Sequence, residues 1–142
     1  MTIDDIAALR QTAEIYARGA DRRCADDWLA VLDKDVTISG PGFAISGREA
    51  NLGSLAMLEQ MFKATRHLVH NQTATIDGDT AHGETYGTAE HVLAGKDGDM
   101  LLCWAIRYQD AWRRDAGEWR FTRRELIVDW EELRPLKPVV PA

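Results

Sequence analysis

Apolar residues recur at Ile6, Leu9, Ala13, Tyr16 and Ala20 in alternating steps of three and four, so they share one face of a helix from Thr2 to about Arg22. Thr2 suits the cap position, and Asp4 and Asp5 suit the positive end of the helix dipole. Asp21 closes the same helix, at the end where that dipole disfavours a carboxylate, and this placement hints at a role other than helix stability. A short second helix is predicted over Ala25 to Leu32, with Trp28, Val31 and Leu32 as its apolar contacts. Asp33-Lys-Asp35 breaks the pattern. Val36 to Gly40 then alternates like a strand, Pro41-Gly42 turns it back into Phe43 to Ile45, and Gly47 closes the hairpin. Arg48 to about Lys63 predicts a third helix that buries Leu52, Leu55, Leu58 or Met61, and Phe62.

The remainder reads as strands over Arg66 to Ile76, Thr80 to about Leu93, Met100 to about Trp112 and Glu118 to about Trp130. The turns between them, Asp77-Gly78-Asp79, Gly95-Lys-Asp-Gly98 and Arg114-Asp-Ala-Gly117, are too short for parallel crossovers, so the strands form an antiparallel meander. Helices followed by such a sheet predict an α+β fold with the helices on one face. Residues 1–133 are expected to form one domain. Residues 134–142, rich in proline, are expected to be an extended tail whose Val139-Val140 can cover a neighbouring subunit.

Composition narrows the classes. The chain has 142 residues, enough for one domain with a real core, and its 45% apolar content is that of a globular protein. A net charge of −6 leaves no basic surplus for nucleic acid or an anionic membrane. The pairs Arg22-Arg23, Arg113-Arg114 and Arg123-Arg124 lie among acids and read as surface or turn residues. Cys24 and Cys103 make neither a disulfide framework nor a zinc pattern, as expected of reduced cysteines. Met1-Thr-Ile-Asp-Asp5 lacks the basic head and apolar core of a signal peptide, and no run approaches the roughly 18–20 apolar residues of a membrane span. A soluble, cytoplasmic protein is expected. No Walker loop, dinucleotide fingerprint, metal-ligand cluster or nucleophile elbow occurs, so neither cofactor nor metal is expected.

The stretch His67-Leu-Val-His-Asn71 holds two candidate bases, because a neutral imidazole is available near neutral pH. Strand alternation puts His67, Val69 and Asn71 on one face and Arg66, Leu68 and His70 on the other. His82 and His91 have no motif around them and are expected to be exposed. Arg120, Thr122, Arg124, Leu126 and Val128 share one face of the last strand, and Cys103, Ala105 and Arg107 one face of the strand before it. If both faces line a cavity, Arg107 and Arg124 need a carboxylate partner such as Glu84 or Glu90, or a polar substrate group; otherwise they stand at an open rim. Tyr16 is either a core tyrosine or a hydroxyl donor, and Trp104, Trp112, Trp119 and Trp130 read chiefly as core and interface residues.

Tyr16-x4-Asp21 closing the first helix, the following Ala25-Asp-Asp-Trp28, His67-x3-Asn71 and Ile76-Asp-Gly-Asp-Thr-Ala81 with Gly83-Glu-Thr-Tyr86 together resemble the SnoaL-like, NTF2-like superfamily over essentially the whole chain. That resemblance implies a cone-shaped α+β barrel, its three helices packed on a curved, mostly antiparallel sheet. The pattern is most similar to scytalone dehydratase, bile-acid 7α-dehydratase and hexachlorocyclohexane dehydrochlorinase, in which an aspartate ending the first helix orients a histidine on the strand after the third. Carried over, those residues are Asp21 and His67, with Tyr16 matching a tyrosine of the bile-acid enzyme and Arg124 an arginine of the dehydrochlorinase. The second histidine of scytalone dehydratase has no placed counterpart, and the Asp-Arg-Asp relay of limonene-epoxide hydrolase is not evident.

The resemblance therefore implies a cofactor-independent lyase, a dehydratase or related β-eliminating enzyme, acting on a small hydrophobic cyclic substrate. His67 abstracts the proton, Asp21 orients it, and Tyr16 assists at oxygen. Arg107, Arg124, Asn71, Cys103, Trp104, Leu126 and Val128 are the candidate substrate contacts. An isomerase or polyketide cyclase using the same base is the neighbouring alternative, and a non-catalytic ligand-binding module is the other. A homo-oligomer, trimer or dimer, is expected.

Overall fold

A computed structural model describes residues 2–137. Helix α1 spans Ile3–Arg22, and the Thr2 side chain accepts from the Asp5 backbone N–H, as a cap should. Helix α2 spans Ala25–Val31, strands β1 and β2 span Leu32–Gly40 and Phe43–Ser46, and helix α3 spans Arg48–Met61. The long strands are β3 (Ala64–Asp77), β4 (Thr80–Gly95), β5 (Gly98–Asp115) and β6 (Glu118–Pro135). The sheet order is β2-β1-β6-β5-β4-β3. All neighbours are antiparallel except β1 and β6, which run parallel.

The expected α+β architecture is present, with the helices on a six-stranded sheet that stays open at β2 and β3. Helix α1 touches both β3 and β6, so the sheet curls around it. Leu9, Ala13, Tyr16 and Ala20 of its apolar face are buried, while Ile6, at 45% exposure, lies beyond the covered turns. Trp28 stacks on Tyr16 with ring centroids 4.7 Å apart and donates its Nε1 hydrogen to the Tyr16 carbonyl. Gly19 makes that approach possible, since a Cβ there would stand 2.5 Å from Trp28 Cδ1.

Several boundaries differ from expectation. Strand β1 begins at Leu32, which pairs with Phe121 of β6; the ladder then shifts register across Asp33-Lys-Asp35, where local pattern assigns a break, and resumes at Thr37 beside Arg123. Helix α3 ends at Met61, which is exposed, leaving Leu55 as its buried leucine. Strand β6 continues through Arg134 and Pro135, paired with Leu101 and Met100, so the first residues of the expected tail belong to the sheet. Val139-Val140 lies outside the described residues. Among the described residues no helix is long and apolar enough to cross a membrane.

Three further irregularities, in the antiparallel ladders of the long strands, decide which side chains face the helices. A bulge lies between Val69 and Gln72 in the β3–β4 pairing, and others lie between Ala105 and Ile106 and between Ala111 and Trp112 in the β5–β6 pairing. Each extra residue reverses the alternation beyond it.

Candidate active site

The last turn of α1 and the first residues of β3 bring Asp21 and His67 together across 46 positions of sequence. Asp21 Oδ1 is 2.6 Å from His67 Nδ1, and Oδ2 accepts the His67 backbone N–H at 2.8 Å. Thr65 donates its hydroxyl to Oδ1 at 3.1 Å and is itself held by Arg23, whose guanidinium donates at 2.8 Å. A carboxylate poorly placed for the helix dipole is thus compensated by three donors from the sheet. With Nδ1 carrying the hydrogen toward Asp21, the neutral imidazole has its lone pair on Nε2. Arg10 of α1 donates to the carbonyls of Val69 and His70, tying the helix to the β3 bulge.

Two spaces meet at this pair. A narrow cavity of about 10 Å³ is lined by His67, Tyr16, Tyr108, Arg124, Thr85 and Ile106, among others. An open groove of about 320 Å³ runs outside it past Glu14, Arg18, Asp21 and Arg22. Ala17, His67, Leu68 and Val69 border both.

Tyr16 is 8% exposed, and burial pushes its phenol far above its ordinary range, so it is a neutral O–H donor at any working pH. Arg124 is 1% exposed. Its partner is neither Glu84 nor Glu90 but Asp110, which accepts from Nε at 2.8 Å and Nη2 at 3.1 Å. Burial alone would favour the neutral guanidine; the Asp110 charge and hydrogen bonds, with the neighbouring tyrosines, outweigh it and raise the Arg124 pKa. The guanidinium carbon lies 3.7 Å from the Tyr108 ring centroid, 4.2 Å from Phe121 and 4.6 Å from Tyr16. Thr85 donates to Asp110 at 2.7 Å and accepts from Gln72 at 2.9 Å, completing a buried chain.

The other expected contacts divide by face. Asn71 is exposed, because the β3 bulge moves Gln72 into the inward position that strict alternation assigns to Asn71. Arg107 and Cys103 lie on the outer face: inward positions on β5 are Trp104, Ile106, Tyr108, Asp110 and Trp112. Arg107 pairs there with Asp129, both hydrogen bonds at 2.8 Å, and with Glu84 at 3.2 Å; these carboxylates raise its pKa. The bulge near Thr122 separates Arg120 and Thr122, which face out, from Arg124, Leu126 and Val128, which face in. Leu126 and Val128 pack against the core and are not among the cavity's lining side chains. Trp104 faces in toward His91, ring centroids 4.7 Å apart, with its Nε1 hydrogen on Glu131.

His91 corrects another expectation. It is 3% exposed, clamped between Phe62 and Trp104, with its ring 6.0 Å from that of His67. Its Nδ1 hydrogen goes to the Leu102 carbonyl at 3.0 Å, and burial lowers its pKa. The signal for it was parity: His91 lies two residues from Ala89 on the inward face of β4. Tyr108 and Asp110 were also unsuspected, although they alternate with Ile106 and Trp112 in one inward row. His70 faces away and bonds Thr88. Among the described residues no group of three or more His, Cys, Asp or Glu is arranged to hold a metal ion.

A family model described as a SnoaL-like domain matches residues 1–125, and the chain belongs to that family. Protein Rv2910c of Mycobacterium tuberculosis is 28% identical over 86% of this chain and 84% of its own length. The crystal structure of a type 2 hexachlorocyclohexane dehydrochlorinase, LinA, superposes with a TM-score of 0.86 at 18% identity, covering 98% of this chain and 95% of that one. A candidate scytalone dehydratase from Novosphingobium aromaticivorans superposes with a TM-score of 0.80 at 22% identity, over 99% and 96% of the two chains. At these identities the structural likeness establishes the shared fold.

Proposed function

We propose that this SnoaL-like protein is a cofactor-independent lyase that eliminates a leaving group from a small hydrophobic cyclic substrate. The observation that carries the proposal is the 2.6 Å contact between Asp21 and His67 at the border of the cavity and the groove. His67 Nε2 takes a proton from carbon; the freed electron pair forms the double bond, and the leaving group departs with the electrons of its own bond. Asp21 fixes the tautomer and stabilises the imidazolium that results, as a carboxylate does in hydrolytic triads. Tyr16 donates to oxygen, either of a hydroxyl leaving group or of an intermediate enolate, and Arg124 meets a polar group of the substrate. The dehydrochlorinase and the candidate scytalone dehydratase, both named for eliminations, share the fold and support this reading.

Exposed Leu68 and Tyr86 on the outer sheet face, with Trp130 at 68% exposure, support a homo-oligomer, which light scattering on the purified protein tests.

The test of the activity is NMR of cyclic ketones and alcohols incubated with the protein in deuterium oxide. Elimination products, lost in His67→Ala and in Asp21→Asn, are expected. Deuterium incorporation without elimination would favour an isomerase or cyclase using the same base. Full activity in either variant would sink the proposal.

A further inference from the structure

We infer that Arg23 is a positioning residue of the dyad, acting through Thr65 to fix Asp21 and thereby the imidazole of His67. This rests on the reading of His67 as the base and adds the residues that hold its partner.

Arg23 follows α1 in the left-handed conformation, φ 52° and ψ 43°. Its own N–H meets the Ala20 carbonyl at 3.4 Å, and the N–H of Cys24 meets the Gly19 carbonyl at 2.9 Å. Helices that end this way usually place glycine at the left-handed residue, because a side chain there strains the backbone. Here the position carries an arginine that turns inward: its side chain is 15% exposed, while neighbouring Arg22 lies at the surface. Contacts of the guanidinium must therefore outweigh the strain. Nη1 has two hydrogens, and they go to the Ala20 carbonyl and to Thr65 Oγ1, the second at 2.8 Å. Nε is enclosed and lies 3.4 Å from Glu59 of α3, at ion-pair distance but without a hydrogen bond.

The direction of these bonds decides what reaches Asp21. A guanidinium only donates, so the Thr65 oxygen that accepts from it has its single hydrogen left for another acceptor. That acceptor is Asp21 Oδ1, 3.1 Å away, the same oxygen that faces His67 Nδ1 at 2.6 Å. Arg23 thus orients the hydroxyl, the hydroxyl orients the carboxylate, and the carboxylate holds the ring. The bond to Ala20 adds a second effect. It covers a carbonyl at the negative end of α1, beside the carboxylate that this end disfavours. An ionised Asp21 is needed there to stabilise the imidazolium.

The test reads the His67 ring directly, by NMR of the unliganded protein. Its Nδ1 hydrogen is expected at low field and in slow exchange with water, and His67→Ala identifies the signal. Glycine accepts φ 52°, so Arg23→Gly keeps the turn and removes the guanidinium. Exchange of the ring hydrogen is expected to quicken about tenfold in Arg23→Gly and in Thr65→Val, with no further change in the double variant. Thr65→Ser, which keeps the hydroxyl, is expected to keep slow exchange. Millimolar guanidinium chloride is expected to restore Arg23→Gly, where sodium chloride does not, since the vacated space opens to solvent. Deuterium incorporation into 2-cyclohexen-1-one is expected to slow in the same variants and to recover with guanidinium in Arg23→Gly, at unchanged ketone affinity. Slow ring exchange in either single variant, additive effects in the double one, or equal rescue by sodium chloride would each overturn the inference. Where Arg23→Gly melts too low to be measured, Thr65→Val decides in the same way. Ring signals that change as expected while the unmodified protein incorporates no deuterium would remove the base and leave the positioning role. Deuterium incorporation with ring exchange indifferent to both variants would leave the base and overturn the positioning role.

Discussion

Asp21 holds His67 at two points, its Oδ1 2.6 Å from the ring Nδ1 and its Oδ2 2.8 Å from the backbone nitrogen of the same residue. Backbone and ring are thus oriented by one carboxylate, and the imidazole has little freedom to turn its Nε2 away. Asp21→Asn keeps the size of the side chain but loses the charge that stabilises an imidazolium. A fall of about 100-fold or more in the deuterium-exchange rate is expected, with unchanged circular dichroism.

Arg124 and Asp110 are a buried pair, with side chains 2% and 0% exposed. Removing one partner leaves the other charge without compensation, so Asp110→Ala is expected to cost about 3–5 kcal/mol in urea unfolding. Replacing both, Arg124→Met with Asp110→Leu, is expected to recover much of that stability while losing activity. A double variant no more stable than Asp110→Ala would contradict the electrostatic account.

His91 is neutral because it is buried, and its pKa lies below the ordinary 6.5. The unfolded chain binds a proton there more readily, so its contribution to stability is present above pH 6.5 and is lost as pH falls below that value. Melting temperatures between pH 7.5 and 5 are expected to decline, and His91→Gln to decline less over the same interval. Equal slopes in the two proteins would assign the acid sensitivity elsewhere.

Arg107 supplies a contrast. It pairs with Asp129 and Glu84 on the outer face, its side chain 27% exposed, and does not line the cavity. Arg107→Ala is expected to leave turnover unchanged and to alter stability by no more than about 1 kcal/mol, as read from urea unfolding.

What the chain reveals by itself is what depends on neighbours in sequence. The period of Leu9, Ala13, Tyr16 and Ala20 specifies α1, and glycine-containing turns specify the meander, because both follow from local backbone geometry. The order of Tyr16, Asp21 and His67 was enough to suggest, through resemblance, that the acid and the histidine meet. Tertiary structure decided the rest. Counting by twos along β3 and β6 fails at the bulges, so Asn71 and Thr122 turn outward, and only the packed sheet shows where the count restarts. No local signal pairs Arg124 with Asp110 or buries His91 beside Phe62 and Trp104. Those contacts exist because desolvated charges and rings must find partners across strands, and alignment of strands is a property of the whole sheet.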